Sequence, residues 1–137
     1  MPVDGVRLLE FRKVANPKGN LTAIEGGQDV PFDIKRVFYL YDVPGGEDRG
    51  GHAHRALEQV IIAASGSFDI VVEDGVTERR FFLNRSYSGL YIPPMIWAHL
   101  ENFSSGSVSL VLASAHYDES DYYRDHDEYL RVVRGRS

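Results

Sequence analysis

Apolar and polar positions alternate along this chain in short bursts rather than in helical stripes. The runs VRLLEF, LTAIEG, IKRVFYLYDV, LEQVIIAA, SFDIVVEDG, ERRFFL, GLYIPP, IWAHLENF and VSLVLASAHY are rich in Val, Ile, Phe and Tyr and are separated by turn-forming residues. This punctuation predicts many short strands, and therefore an all-β sandwich or barrel. The plainest case is SFDIVVEDGVTERRFF, in which Phe68, Ile70 and Val72 share one strand face and Asp74-Gly75 supplies a hairpin turn. After Asp118 the pattern changes. The stretch from Asp118 to Val133 is acidic and tyrosine-rich at first and ends in Leu130, Val132 and Val133, which predicts a short C-terminal helix covering a sheet.

No linker, repeat or low-complexity tract divides the 137 residues, so a single domain over 1–137 is expected. That length can bury a core without staples. With no cysteine, disulfides, thiolate zinc sites and thiol nucleophiles are excluded. No apolar run approaches the roughly 20 residues that span a bilayer, and MPVDGVRLLEF lacks the layout of a secretory leader; a soluble, cytoplasmic protein is expected. Fifteen Lys and Arg against 20 Asp and Glu give a net charge of -5, which offers no general attraction for nucleic acid or an anionic membrane. A polyanionic ligand would need a local group of arginines.

The candidate chemistry lies in RGGHAHRALEQ, Arg49 to Gln59. On a strand, His52 and His54 point to one side and Ala53 to the other, and Glu58 shares the parity of the histidines. Gly50, Gly51 and Ala53 leave room for a ligand to approach. An imidazole with a pKa near 6.5 suits proton transfer at neutral pH, and neutral imidazoles with a carboxylate also suit a transition metal. Both readings stand at this level. His116 and His126 fall in the tail region and are read as structural or solvent-facing.

The pattern H-x-H-x3-E from His52 to Glu58, Gly66, and then P-x4-H-x2-N from Pro94 to Asn102 resembles the two signature motifs of the cupin superfamily. That resemblance implies a cupin-type double-stranded β-helix, a jelly-roll barrel, with a short C-terminal helical segment. In metal-binding cupins the positions of His52, His54, Glu58 and His99 are ligands.

A narrower likeness runs from about Asn20 to Leu130. The segments LTAIEG, PFDIKRVFYLYDVP, RGGHAH, GLYIPPMIW, LVLAS and YDESDYYRDHDEYL together resemble the thymidine-diphosphate-linked sugar 3,4-ketoisomerases. The resemblance implies a homodimer that binds a dTDP-linked keto-deoxysugar without a metal or other cofactor and moves its ketone from C4 to C3. It makes His52 the candidate base and His54 its partner, with Arg36, Arg49, Phe38, Gln59, Trp97 and His99 as candidate substrate-binding residues. Three positions depart from the family pattern: Phe38 where a tyrosine is common, Ala98 where Arg or His often follows the tryptophan, and Lys18 where Tyr or Arg is common. The last two bear in the family on which sugar face receives the proton. Alternatives are a metal-dependent cupin built on His52, His54, Glu58 and His99, and a nucleotide-sugar-binding module without turnover.

Overall fold

The computed structural model describes residues 2–135. Among them the strands are β1 (Arg7–Glu10), β2 (Arg36–Leu40), β3 (Arg49–His54), β4 (Gln59–Ser65), β5 (Phe68–Glu73), β6 (Glu78–Leu83), β7 (Ser88–Ile92), β8 (Trp97–Glu101), β9 (Val108–Ala113) and β10 (Tyr122–Tyr123). They form two antiparallel sheets of five, ordered β1-β7-β4-β9-β2 and β10-β3-β8-β5-β6. Two such sheets folded face to face are the expected double-stranded β-helix.

The main core lies between the sheets. Ile61, Leu90, Ile92 and Val111 from the first face Phe68, Ile70, Val72, Ala98 and Leu100 from the second. The period-two pattern of β5 delivers Phe68, Ile70 and Val72 to this core with no exposure. Each such side chain contributes about 1.5–3 kcal/mol relative to leaving it in water. The β5–β6 hairpin closes as its sequence requires: Gly75 adopts a φ of 97°, and Asp74 Oδ1 accepts from the backbone N–H groups of Val76 and Thr77.

The run LTAIEG departs from expectation. Leu21 pairs with Val14 in an isolated bridge, and no regular strand follows. Instead Ile24, Val30 and Phe32 pack with Phe11, Val60, Ile62, Tyr91 and Leu112 on the outer face of the first sheet, so the segment earns its apolar residues as a covering loop.

The tail is also more varied than one helix. A single 3-10 turn (Glu119–Asp121) leads into β10, and α1 (His126–Arg134) follows. Asp125 caps α1 by accepting from the N–H groups of Asp127 and Glu128, and Arg131 and Arg134 sit at its C-terminal end, where the helix dipole favours cations. Tyr129 is wholly buried and packs with Ala53, Trp97 and Tyr123 on the outer face of the second sheet. Its hydroxyl, with one proton to donate, lies 3.1 and 2.9 Å from the carbonyl oxygens of Glu73 and Met95. The helix covers the sheet as the sequence implies; the residues before it do something else.

Candidate active site

Strand β3 carries the histidines, and its shape depends on two glycines. Arg49 pairs with Leu100 and His52 with Ala98, so β3 spends one more residue than β8 over this interval. The bulge falls at Gly50-Gly51, with Gly50 at a φ of 87°, a conformation that disfavours any side chain. Beyond the bulge the alternation is regular. Ala53 turns outward beneath Tyr123 and Tyr129. His52 and His54 turn inward, with ring centroids 4.9 Å apart and the ring planes nearly perpendicular.

The first sheet supplies the opposite wall. Arg36 on β2 and Gln59 on β4 both pair with Ala113 of β9, so they flank it on the sheet's inward face. Phe38 lies one step deeper, opposite Val111. Phe38, Gln59, Gly50, His52 and Ala98 surround a small interior cavity of about 50 Å³. Beside it opens a larger pocket of about 540 Å³, lined by Arg36, His54, Ser114, Tyr117, Asp121 and Tyr122 among others. The larger volume is within the range of pockets that hold small ligands. His52 lines the small cavity and His54 the larger pocket, so the imidazole pair lies between the two.

The guanidinium of Arg36 sits over the rings of Phe38 and Tyr117, 4.9 and 5.5 Å from their centroids. Its Nε is buried and has no hydrogen-bond partner among the described residues. A buried charged donor without an acceptor is costly, and an anionic ligand oxygen in the pocket would satisfy it.

The tail completes the site, and sequence reasoning missed this. In β10, Tyr122 pairs with His54 and Tyr123 with Ala53. The Tyr122 ring lies 4.9 Å from that of His52 and 4.4 Å from that of His54. Arg124 stacks on Tyr122 at 4.1 Å and is held by Glu119 through bonds of 2.6 and 2.9 Å. Arg124 and the Tyr117 hydroxyl hold the Glu119 carboxyl down at about 2. Asp121 Oδ2 lies 3.2 Å from His54 Nδ1. YDESDYYRDHDEYL contained all these groups, but nothing in its composition shows which of them reaches back to β3.

Burial pushes the His52 imidazole down from 6.5 to about 4, helped by the neighbouring His54 and Arg124 and opposed by Glu119. His54 is also lowered by burial; the Asp121 carboxylate opposes the shift, and Arg36 and Arg124 add to it. Two neutral imidazoles at neutral pH result. One or both can accept a proton.

Of the residues expected at the site, His52, His54, Arg36, Phe38 and Gln59 come together. Three others lie elsewhere in the chain. Trp97 and His99 share the outward parity of β8, opposite to Ala98: Trp97 is buried against His126 and Tyr129 beneath α1, and His99 pairs with Glu101 at 3.2 Å. Arg49 is exposed and lines a separate surface hollow with Tyr39, Tyr41 and Asp48. Lys18 lies in an exposed turn before Leu21, where its backbone N–H donates to Asn16 Oδ1 at 2.8 Å, and it lines neither the small cavity nor the larger pocket.

The four-ligand metal set is not assembled. Glu58 does not share the histidines' strand face, because β3 ends at His54 and the chain turns through residues 55–57 before β4 begins. Glu58 instead accepts from the Tyr91 hydroxyl at 2.6 Å; burial and this carboxylate raise that phenol to about 12. His99 is on the wrong face of its strand. Among the described residues no group of three or more His, Asp or Glu side chains is arranged to hold a metal ion.

The FdtA model, described as WxcM-like, C-terminal, matches residues 4–134. The chain belongs to this family. A TDP-4-oxo-6-deoxy-alpha-D-glucose-3,4-oxoisomerase from Aneurinibacillus thermoaerophilus is 40% identical over 127 residues, covering 93% of this chain and 91% of the relative. A histidine-to-asparagine mutant of the 3,4-ketoisomerase QdtA from Thermoanaerobacterium thermosaccharolyticum, in complex with TDP-4-keto-6-deoxyglucose, superposes with a TM-score of 0.96 at 41% identity over 98% of both chains. The TDP-quinovose 3,4-ketoisomerase WlaRB from Campylobacter jejuni gives 0.90 at 44% identity, over 94% of this chain and 99% of its own. The WxcM-like fold and the inward pair on β3 thus belong to a chain similar along nearly its whole length to sugar ketoisomerases.

Proposed function

We propose that this protein is a sugar 3,4-ketoisomerase that converts dTDP-4-keto-6-deoxyglucose into a dTDP-3-keto-6-deoxyhexose by proton transfer through His52 and His54. The observation that carries the reading is the pair of neutral inward imidazoles, 4.9 Å apart, with His54 lining the same ligand-sized pocket as Arg36, whose buried Nε lacks an acceptor among the described residues. The likeness to named isomerases supplies the substrate class.

The chemistry balances on these groups. His52 takes the C3 hydrogen as a proton; the C–H pair becomes the C3=C4 bond, and the C4 carbonyl pair moves to O4. His54 relays the proton released by O3 to O4. The proton held by His52 exchanges with solvent, and as the C3 carbonyl forms, C4 takes up a proton from His52. A base that is neutral above about pH 4 is ready at physiological pH. Arg36 binds diphosphate or ketone oxygen through its free donor, and Gln59 holds a sugar hydroxyl. The protein works as a cytoplasmic homodimer in this reading. On β2 the outward Val37 and Tyr39, with Tyr41 beyond the strand end, are exposed and offer an apolar patch for the second copy.

The test is incubation with dTDP-4-keto-6-deoxyglucose in deuterated water, with and without chelator, followed by NMR. Deuterium entering the ring together with the 3-keto product, both insensitive to chelator, is expected. Binding without exchange would leave a nucleotide-sugar-binding module, and loss of exchange on chelation would restore the metal-dependent alternative.

A further inference from the structure

We infer that Asp121 is a positioning residue for the isomerisation: its carboxylate fixes His54 in the Nδ1-protonated tautomer, so that Nε2 presents its lone pair to the sugar. The inference rests on the isomerase reading and adds a residue and a protonation state to it.

The geometry leaves few choices. A carboxylate only accepts hydrogen bonds, and a neutral imidazole has one N–H and one acceptor nitrogen. With Oδ2 3.2 Å from Nδ1, the proton of His54 resides on Nδ1. The carboxylate cannot turn away, because Ala56 N donates to Oδ1 at 2.9 Å and Leu57 N to Oδ2 at 3.2 Å. Its backbone is tied as well: Arg55 N donates to the Asp121 carbonyl at 2.8 Å, and Arg55 Nε to the Ser120 carbonyl at 3.1 Å. The next residue, Tyr122, is in register with His54 itself.

His54 is gripped on its other sides too. Its carbonyl accepts from Met95 N at 2.7 Å, its ring meets His52 and Tyr122, and only 4% of the residue is exposed. A ring so enclosed cannot exchange its nitrogens by flipping without disturbing the pair. The tautomer therefore decides what His54 can do. With Nε2 bare it can take the O3 proton; with Nε2 protonated it could only donate at the start of turnover. Among the described residues no carboxylate is hydrogen-bonded to His52, as suits a group that must be protonated and deprotonated at carbon.

The experiment reads the tautomer directly. Protein labelled with 15N-histidine is examined at pH 7.5 by long-range proton–nitrogen correlation, with the His54 signals assigned through His54→Gln. The wild type is expected to show protonated Nδ1 and bare Nε2. In Asp121→Asn the side-chain amide faces Nδ1 as a donor, and the pattern is expected to reverse. Turnover of the keto sugar then falls at least about 10²-fold, the low end of what an acid–base group contributes, with KM within about threefold. Asp118→Ala loosens the same 3-10 turn by removing the acceptor for Ser120 N and Oγ, and is expected to keep the wild-type tautomer. A reversed pattern there would make Asp121 a merely structural clasp. Wild-type protein that isomerises the sugar with its His54 proton on Nε2 overturns the inference alone, even if every Asp121 variant misfolds. Wild-type protein that binds the sugar without exchanging it overturns the isomerase reading, and the catalytic role of Asp121 with it.

Discussion

The second sheet carries histidines on both of its faces, and the contrast between them separates chemistry from surface. On the inward face His52 and His54 are enclosed, pressed against one another and against Tyr122, and kept neutral by burial. Associated with the outward face are His99, beside Glu101, and His126, which lies on α1 against Trp97 and near Glu73. All four imidazoles have a neighbour. What distinguishes the inner pair is a pocket to serve and an opposite wall bearing Arg36 and Gln59. A histidine next to a carboxylate is thus not by itself a sign of catalysis; the cavity it faces decides.

The sharpest way to break this comparison is to exchange the two faces by mutation. His52→Asn is expected to abolish deuterium exchange into the keto sugar, with a loss of at least about 10²–10⁴-fold, while dTDP binding by calorimetry changes less than threefold. Substantial exchange in that variant would exclude His52 as the base. Next in size is Arg36→Gln, which removes the free buried donor. Affinity for dTDP and for the sugar nucleotide should fall about 10–100-fold, the worth of a hydrogen bond to a charged group. An unchanged affinity would place the diphosphate elsewhere.

The pH response tests the burial of the inner pair without any substrate. His52 has a folded pKa of about 4 against 6.5 for the ordinary side chain. Above 6.5 both states are neutral and the group does not weigh on folding. Between 6.5 and about 4 the unfolded chain takes up a proton that the folded site refuses, so stability declines as pH falls through that window. Thermal melts from pH 7 to 4 should show the decline, and His52→Asn should flatten part of it. An equal slope in the variant would mean that the ring is better solvated than its surroundings imply.

Smaller effects belong to the outer face. Tyr129→Phe deletes a buried hydroxyl within hydrogen-bond reach of the carbonyls of Glu73 and Met95, and should cost about 1–3 kcal/mol in denaturant unfolding while leaving turnover intact. His99→Asn is expected to change turnover less than twofold. A tenfold loss in that variant would bring His99 back among the substrate-binding residues and overturn the assignment of faces.

Much of this was open to a reading of residues alone. The alternation of Phe68, Ile70 and Val72, the Asp74-Gly75 turn and the shared parity of His52 and His54 are local matters, set by the strand period and by turn chemistry. They placed the core face of β5 and the direction of both imidazoles. Parity failed for Glu58 because it presumes an unbroken strand, and β3 stops at His54. For His99 the P-x4-H spacing suggested a ligand, but the register of β8 gives the inward place to Ala98. Trp97 went to the helix for the same reason.

Only the tertiary structure could bring Asp121 to His54, 67 positions away, and Arg36 to the other side of the same pocket. The strand period records which way a side chain points, because that depends on its nearest neighbours in the chain. It holds no record of which distant loop will cover that side chain. That depends on strand order and register, which the two sheets settle jointly when they close over a common core.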